Sequence, residues 1–212
     1  GSHRRAGRLS MPMKRGMPIK RGMPEKRGMP IKRGMPEKQN MRRNENIVLI
    51  GMPGAGKSTV GVVLAKHMGR RFLDSDLVIQ EKTGKLLHEI ISEKGLEGFL
   101  AVENEINSGL EKNGSVIATG GSVIYGQQAM DHLRQTGTVV YLKLSFEEIR
   151  SRLGDLKKRG VALKEGQTLR DLYEERIPLY EKYADFILEC DRKSIRTIVE
   201  ELAEALEQIS EK

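Results

Sequence analysis

The sequence predicts an α/β protein in which a five-stranded parallel sheet is covered by helices on both faces. Three observations lead there. Short apolar runs of strand length alternate with segments whose apolar residues recur at helical spacing. A glycine-rich turn joins the first run to the first helical segment. Carboxylates and further glycines follow later runs, at the strand ends where open parallel sheets bind ligands.

Asn46-Ile47-Val48-Leu49-Ile50 is the first strand. Gly51-Met52-Pro53-Gly54-Ala55-Gly56-Lys57-Ser58 fits G-x-x-x-x-G-K-[ST], the P-loop pattern. From Thr59 to Met68, Val60, Val63, Leu64 and Met68 stand at helical spacing, and Gly69 stops the helix. In such a context the backbone N–H groups over Gly54, Ala55, Gly56, Lys57, Ser58 and Thr59 converge on phosphate oxygens, helped by the helix dipole. Lys57 would reach the β- and γ-phosphates of ATP and Ser58 would hold Mg²⁺.

Arg71-Phe72-Leu73-Asp74 is a second strand, ending in Asp74-Ser75-Asp76, and Leu77-Val78-Ile79 open a helix closed by Thr83-Gly84. Leu86-Leu87 with Ile90-Ile91 give another helical turn pair. Gly95 opens a longer helix to about Lys112, with Leu96, Phe99, Leu100, Val102, Ile106 and Leu110 on its apolar face. Residues 115–119 are a strand running into Gly120-Gly121, residues 126–135 a weak helix, and residues 138–142 a strand followed by a helix marked by Phe146, Ile149 and Leu153. Residues 154–168 carry three glycines, three lysines and Arg159 with little to pack, the composition of a mobile lid or of a solvated loop. A helix over Leu169–Tyr180, a strand at 186–190 and an amphipathic helix from Ile195 to Ile209 complete the domain.

Charge divides the chain. Residues 1–43 hold 14 Lys and Arg against 2 Asp and Glu, so the net +8 of the whole chain belongs to this tail and residues 44–212 are mildly acidic. Gly1-Ser2-His3 reads as a tag scar, and Lys-Arg-Gly-Met-Pro repeats every six residues from Lys14. Proline every sixth residue and repelling charges predict disorder. The tail is a non-specific arm for nucleic acid or anionic membrane, or a translated repeat ahead of an initiator at Met41; with no aromatic residue in it for base stacking, the second reading is preferred. No run of 18 apolar residues is present and Cys190 is the single cysteine, so a cytoplasmic protein without a membrane partner is expected. No heptad or apolar stripe marks an interface, so a monomer is expected.

Phosphoryl transfer needs a metal site, charge neutralisation and a positioned acceptor hydroxyl. Asp74 and Asp76 could divide these tasks, and they could equally cap a helix. Gly120-Gly121 could bring backbone close to a small ligand, and Arg159 could reach the phosphates from the lid.

From about Asn46 to Leu206 the chain resembles shikimate kinase. The matching pieces are Gly51–Ser58, Phe72-Leu73-Asp74-Ser75-Asp76, Thr83-Gly84, Gly95 with Glu97 and Phe99, Gly120-Gly121, Arg176-Ile177-Pro178-Leu179-Tyr180 and Arg192. The resemblance implies a P-loop three-layer αβα sandwich like that of the nucleoside monophosphate kinases, using ATP and Mg²⁺ on a small-molecule acceptor. It implies that Asp74 assists Mg²⁺ and that Asp76 orients or deprotonates the acceptor. Gly120 and Gly121 line the acceptor pocket. Arg159 is the lid arginine, Arg176 grips the acceptor carboxylate and Arg192 packs on adenine.

Three positions depart from the family's pattern: Leu100 where an arginine usually meets the acceptor's carboxylate, Thr119 for the first of three glycines, and Gly160-Val161-Ala162 after Arg159. Loss of one charge-assisted contact at position 100 should cost roughly 1.5–3 kcal/mol, about 10- to 150-fold in affinity. Shikimate is therefore the leading acceptor, a related hydroxylated compound the alternative, and a nucleotide-binding protein without turnover the reading from another class. A nucleoside monophosphate kinase would need an arginine-rich monophosphate site, which the helix around Phe99 does not offer.

Overall fold

The computed structural model describes residues 44–154, 161 and 163–210. The tail through residue 43 and Arg159 lie outside the described residues.

Five strands form one sheet: β1 (Asn46–Ile50), β2 (Phe72–Asp74), β3 (Val116–Ala118), β4 (Gly137–Lys143) and β5 (Phe186–Glu189), in the order β2-β3-β1-β4-β5, every pair parallel. The helices are α1 (Lys57–Met68), α2 (Ser75–Thr83), α3 (Leu87–Ser108), α4 (Gln127–Thr136), α5 (Phe146–Leu153), α6 (Leu169–Tyr183) and α7 (Ile195–Ser210). β1 is central, and all five of its residues are fully buried, as a strand covered on both faces must be. Parallel crossovers are right-handed, so the one step toward the β2 edge puts α1 on one face. The later steps, in the opposite direction, put α3, α4 and α6 on the other, and α7 returns to pack on α1. The three-layer αβα expectation holds.

Register fixes the site. Leu49 pairs with Ala118 and Val140, and Asp74 pairs with Ala118. The chain therefore leaves β1, β2 and β3 at one level, and the P-loop, Asp74 and Thr119 emerge side by side. The connections after β1 and β3 run in opposite directions, which makes the crevice between those strands the topological switch point.

Three local features differ from expectation. The helical turn pair at 86–91 and the helix from Gly95 are one element broken at Gly95, whose φ of 71° a side chain would disfavour. That helix ends at Ser108 rather than near Lys112. Gly109 N–H closes on the Ile106 carbonyl, Leu110 turns into the core, and buried Asn46 donates to the Glu111 carbonyl while accepting from the N–H groups of Asn113 and Ser115. A 3₁₀ turn at Val123–Tyr125, with Val123 and Ile124 buried, follows the Gly120-Gly121 turn and had no signal in the sequence. Among the described residues no helix is long and apolar enough to cross a membrane.

Candidate active site

At the switch point lies a cavity of about 580 Å³. One end is the P-loop. Gly56 sits at φ 87° as the N-cap of α1, a left-handed conformation that exposes the first amides of the helix to the cavity. Lys57 is buried, and its Nζ donates to the carbonyls of Gly51 (2.6 Å) and Met52 (2.9 Å). Burial pulls its pKa down to about 8, with Asp76 opposing the fall. A phosphate must take this ammonium from the loop's own carbonyls. Arg152 donates to the Gly54 carbonyl (3.2 Å) and to Glu148 (3.2 Å), so the end of α5 closes over the P-loop tip.

Asp74 uses its two carboxylate oxygens separately. Oδ1 caps α2 by accepting from the N–H groups of Asp76 (2.9 Å) and Leu77 (3.4 Å). Oδ2 accepts from Ser58 Oγ at 3.0 Å. The capping reading accounts for one oxygen and leaves the other turned to Ser58. A hydroxyl and a carboxylate oxygen paired at the mouth of the P-loop suit Mg²⁺, a hard ion that takes few protein ligands beside phosphate and water. Among the described residues no group of three or more His, Cys, Asp or Glu could hold a metal alone, which that donor set does not require.

The other end is built from side chains. Asp76 and Glu103 converge over Gly120: a methyl there would lie 2.7 Å from Asp76 Oδ1 and 2.9 Å from Glu103 Oε2. Burial raises the pKa of Asp76, helped by the Asp74 charge. Glu103 is only 2% exposed, accepts from Ser122 Oγ at 2.6 Å on Oε1, and has no partner for Oε2. Burial pushes its pKa up to about 7. Arg176 is buried at 5% exposure, and its Nη1 has no hydrogen-bond partner. A Gly121 methyl would meet Arg176 Nη1 at 2.9 Å and Pro53 Cδ at 2.8 Å, so glycine there leaves room for the guanidinium. Two unpartnered polar atoms facing one cavity are a site shaped for a polar ligand.

The shikimate kinase family model matches residues 53–207. The chain belongs to the shikimate kinase family. It is accordingly an ATP-dependent kinase. It is 36% identical over 166 residues to the shikimate kinase of Vibrio parahaemolyticus, covering 77% of this chain and 96% of that one. To that of Alteromonas mediterranea it is 40% identical over 160 residues, covering 74% and 94%. Among solved structures, a shikimate kinase from Acinetobacter baumannii in complex with shikimate superposes with a TM-score of 0.71 at 35% identity, covering 79% of this chain and 96% of that one.

The structure gathers most of the residues expected of a shikimate kinase. Gly54, Gly56, Lys57, Ser58, Thr59, Asp76, Gly120, Gly121 and Arg176 line the one cavity. Ala55 is buried within the loop and gives the site its backbone alone. Asp74 stands just outside the lining, joined to it by Ser58. Arg192 is exposed at φ 60° on the turn before α7; that turn flanks the P-loop, since Ile195 Cδ1 lies 3.8 Å from where a Gly56 methyl would be. Leu100 packs against the Ile79, Ile90 and Phe99 cluster and is not among the residues that line the cavity. Thr119 lines the cavity with its hydroxyl spent on the Leu49 carbonyl at 2.7 Å, so it serves the sheet end. Glu103, Ser122, Tyr125 and Arg152 were missed. For Glu103 a signal existed: it falls one turn after Phe99, a carboxylate on an otherwise apolar stripe.

Proposed function

We propose that this kinase transfers the γ-phosphoryl group of ATP to a hydroxyl of shikimate, giving shikimate 3-phosphate and ADP, its step in aromatic amino acid biosynthesis. The observation that carries this reading is one cavity with a P-loop at one end and, at the other, a carboxyl pair and a buried arginine with an unpartnered nitrogen. The P-loop amides and Lys57 hold the phosphates and take up their charge. Ser58 and Asp74 hold Mg²⁺, which when bound neutralises phosphate oxygens and fixes their geometry.

Asp76 accepts the proton of the attacking hydroxyl. The hydroxyl oxygen forms the new bond to phosphorus, and the bond from phosphorus to the ADP oxygen breaks. Glu103 faces the same region, its Oε2 and Asp76 Oδ1 both bordering the space over Gly120. Arg176 grips the acceptor carboxylate. Its unpartnered Nη1 supports an acidic acceptor even though Leu100 supplies no charge. Gly120 and Gly121 allow the ring to approach the backbone, the Arg192 turn flanks the adenine, and Arg159 closes on the phosphates from the lid. Buried Cys190, whose thiol burial pushes up to about 12, suits a reducing cytoplasm, and the chain acts there as a monomer.

ADP release with ATP, Mg²⁺ and graded shikimate tests this. Saturable turnover is expected, with Arg176→Lys raising the KM for shikimate about 10- to 150-fold and leaving that for ATP unchanged. Bound ATP without shikimate-stimulated turnover would return the question to another hydroxylated acceptor.

A further inference from the structure

Arg176 presents its unpartnered Nη1 to the cavity, but its orientation is set from outside it. Its Nε donates to Tyr125 Oη at 3.4 Å, and the guanidinium carbon stands 5.5 Å from the centre of the Tyr125 ring. Tyr125 Oη donates to Glu175 Oε1 at 2.9 Å, and Glu175 Oε2 accepts from Gln167 Nε2 at 2.9 Å. Gln167 belongs to a small turn in which its own Oε1 accepts from Lys164 N–H. A continuous chain of contacts thus runs from the foot of the 154–168 segment to the guanidinium at the acceptor end of the cavity.

Elementary energetics favour a positioning role over a stabilising one. Glu175 is solvent-exposed, and a hydrogen bond exchanged with water adds little to stability. A planar guanidinium that must meet a carboxylate on two nitrogens is sensitive to small rotations, and an aromatic face with a hydroxyl at its edge restrains both tilt and twist.

We propose that Tyr125 is a positioning residue for this kinase, fixing the Arg176 guanidinium toward the acceptor carboxylate, with Glu175 and Gln167 holding the Tyr125 hydroxyl. The proposal rests on the reading that Arg176 binds that carboxylate. It makes acceptor affinity sensitive to the segment at 163–168, which the cavity-lining residues alone would not suggest.

Steady-state kinetics and melting of Tyr125→Phe, Tyr125→Leu, Arg176→Lys and the double variant Tyr125→Phe/Arg176→Lys test it. Tyr125→Phe should raise the KM for shikimate about 3- to 10-fold, with kcat, the KM for ATP and the melting temperature unchanged. Tyr125→Leu, which also loses the ring, should raise it further. In the Arg176→Lys background Tyr125→Phe should add almost nothing, because its effect passes through the guanidinium. An unchanged KM in Tyr125→Phe while Arg176→Lys raises it, or full additivity in the double variant, would overturn the proposal. A KM unmoved by Arg176→Lys itself would overturn the parent reading and this proposal with it.

Discussion

The two ends of the cavity are made of different material. The nucleotide end is largely main chain, amides and glycines whose conformation fixes the loop, with the Lys57 and Ser58 side chains supplied by the same contiguous stretch. The acceptor end is side chain: Asp76 from the start of α2, Glu103 from α3 and Arg176 from α6, meeting over Gly120 and Gly121. Main-chain recognition is local and tolerates change in the neighbouring side chains. Side-chain recognition is assembled from distant elements, and each member can drift separately. Of the departures from the family's pattern, Thr119 lines the cavity beside Gly120 and Leu100 packs beside Phe99, while the P-loop is intact.

The sharpest test of that division is charge removal at the seam between the ends. Asp76→Asn should lower kcat by about 10²–10⁴, and Lys57→Ala by about 10²–10³, with the fold retained by circular dichroism. A fully active Asp76→Asn enzyme would sink its assigned role.

The acceptor end should also reveal itself in the pH dependence of stability. Glu103 has a folded pKa raised from 4.5 to about 7. Between those values the folded state keeps a proton that the unfolded state releases, so this group's contribution to stability falls as pH rises through the window and is lost above it. Glu103→Gln, neutral throughout, should gain on the parent by on the order of 3 kcal/mol between pH 4.5 and 7.5, read as melting temperature against pH. Parallel curves would mean that Glu103 is solvated.

A smaller steric change should separate the ends kinetically. The Gly121→Ala methyl meets Pro53 and Arg176, and overpacking of this kind costs about 1–3 kcal/mol. The KM for shikimate should rise and that for ATP should hold; an equal rise in both would show that the two ends are one unit. The smallest effect is expected at Leu100. Leu100→Ala should cost about 1 kcal/mol in denaturant unfolding and leave both KM values where they are.

The same contrast explains what could be read from the sequence. The sheet, its five strands and the P-loop were legible because each is a contiguous pattern: a buried run such as Ile47–Ile50, a glycine spacing, an amphipathic repeat in α7. Asp76 was legible as one of two carboxylates at a strand end, but Arg176 came from resemblance, since nothing in their own neighbourhoods says that they meet. Leu100 was placed in the site by resemblance, as the position of a family arginine, and its apolar side chain packs with Ile79, Ile90 and Phe99. Glu103 was passed over because a charged residue on an amphipathic helix reads as surface until the opposite wall is known. Tyr125 could not be found at all: its role depends on Arg176 and Glu175, some 50 residues away. The end of α3 was misjudged because the constraint that stops it comes from Asn46 on β1.

Asp74 has a consequence for how a lineage of such enzymes would decay. One of its oxygens holds the first turn of α2 and the other meets Ser58. A descendant that had abandoned catalysis would still be selected to keep a capping side chain here, aspartate, asparagine or serine, because losing it would fray a helix. Asp76, with no hydrogen-bonded side-chain duty to the fold among the described contacts, would be free to change. In a genome survey for retired copies, a capping residue would therefore persist at position 74 in living and retired enzymes alike, and Asp76 would be the position to read.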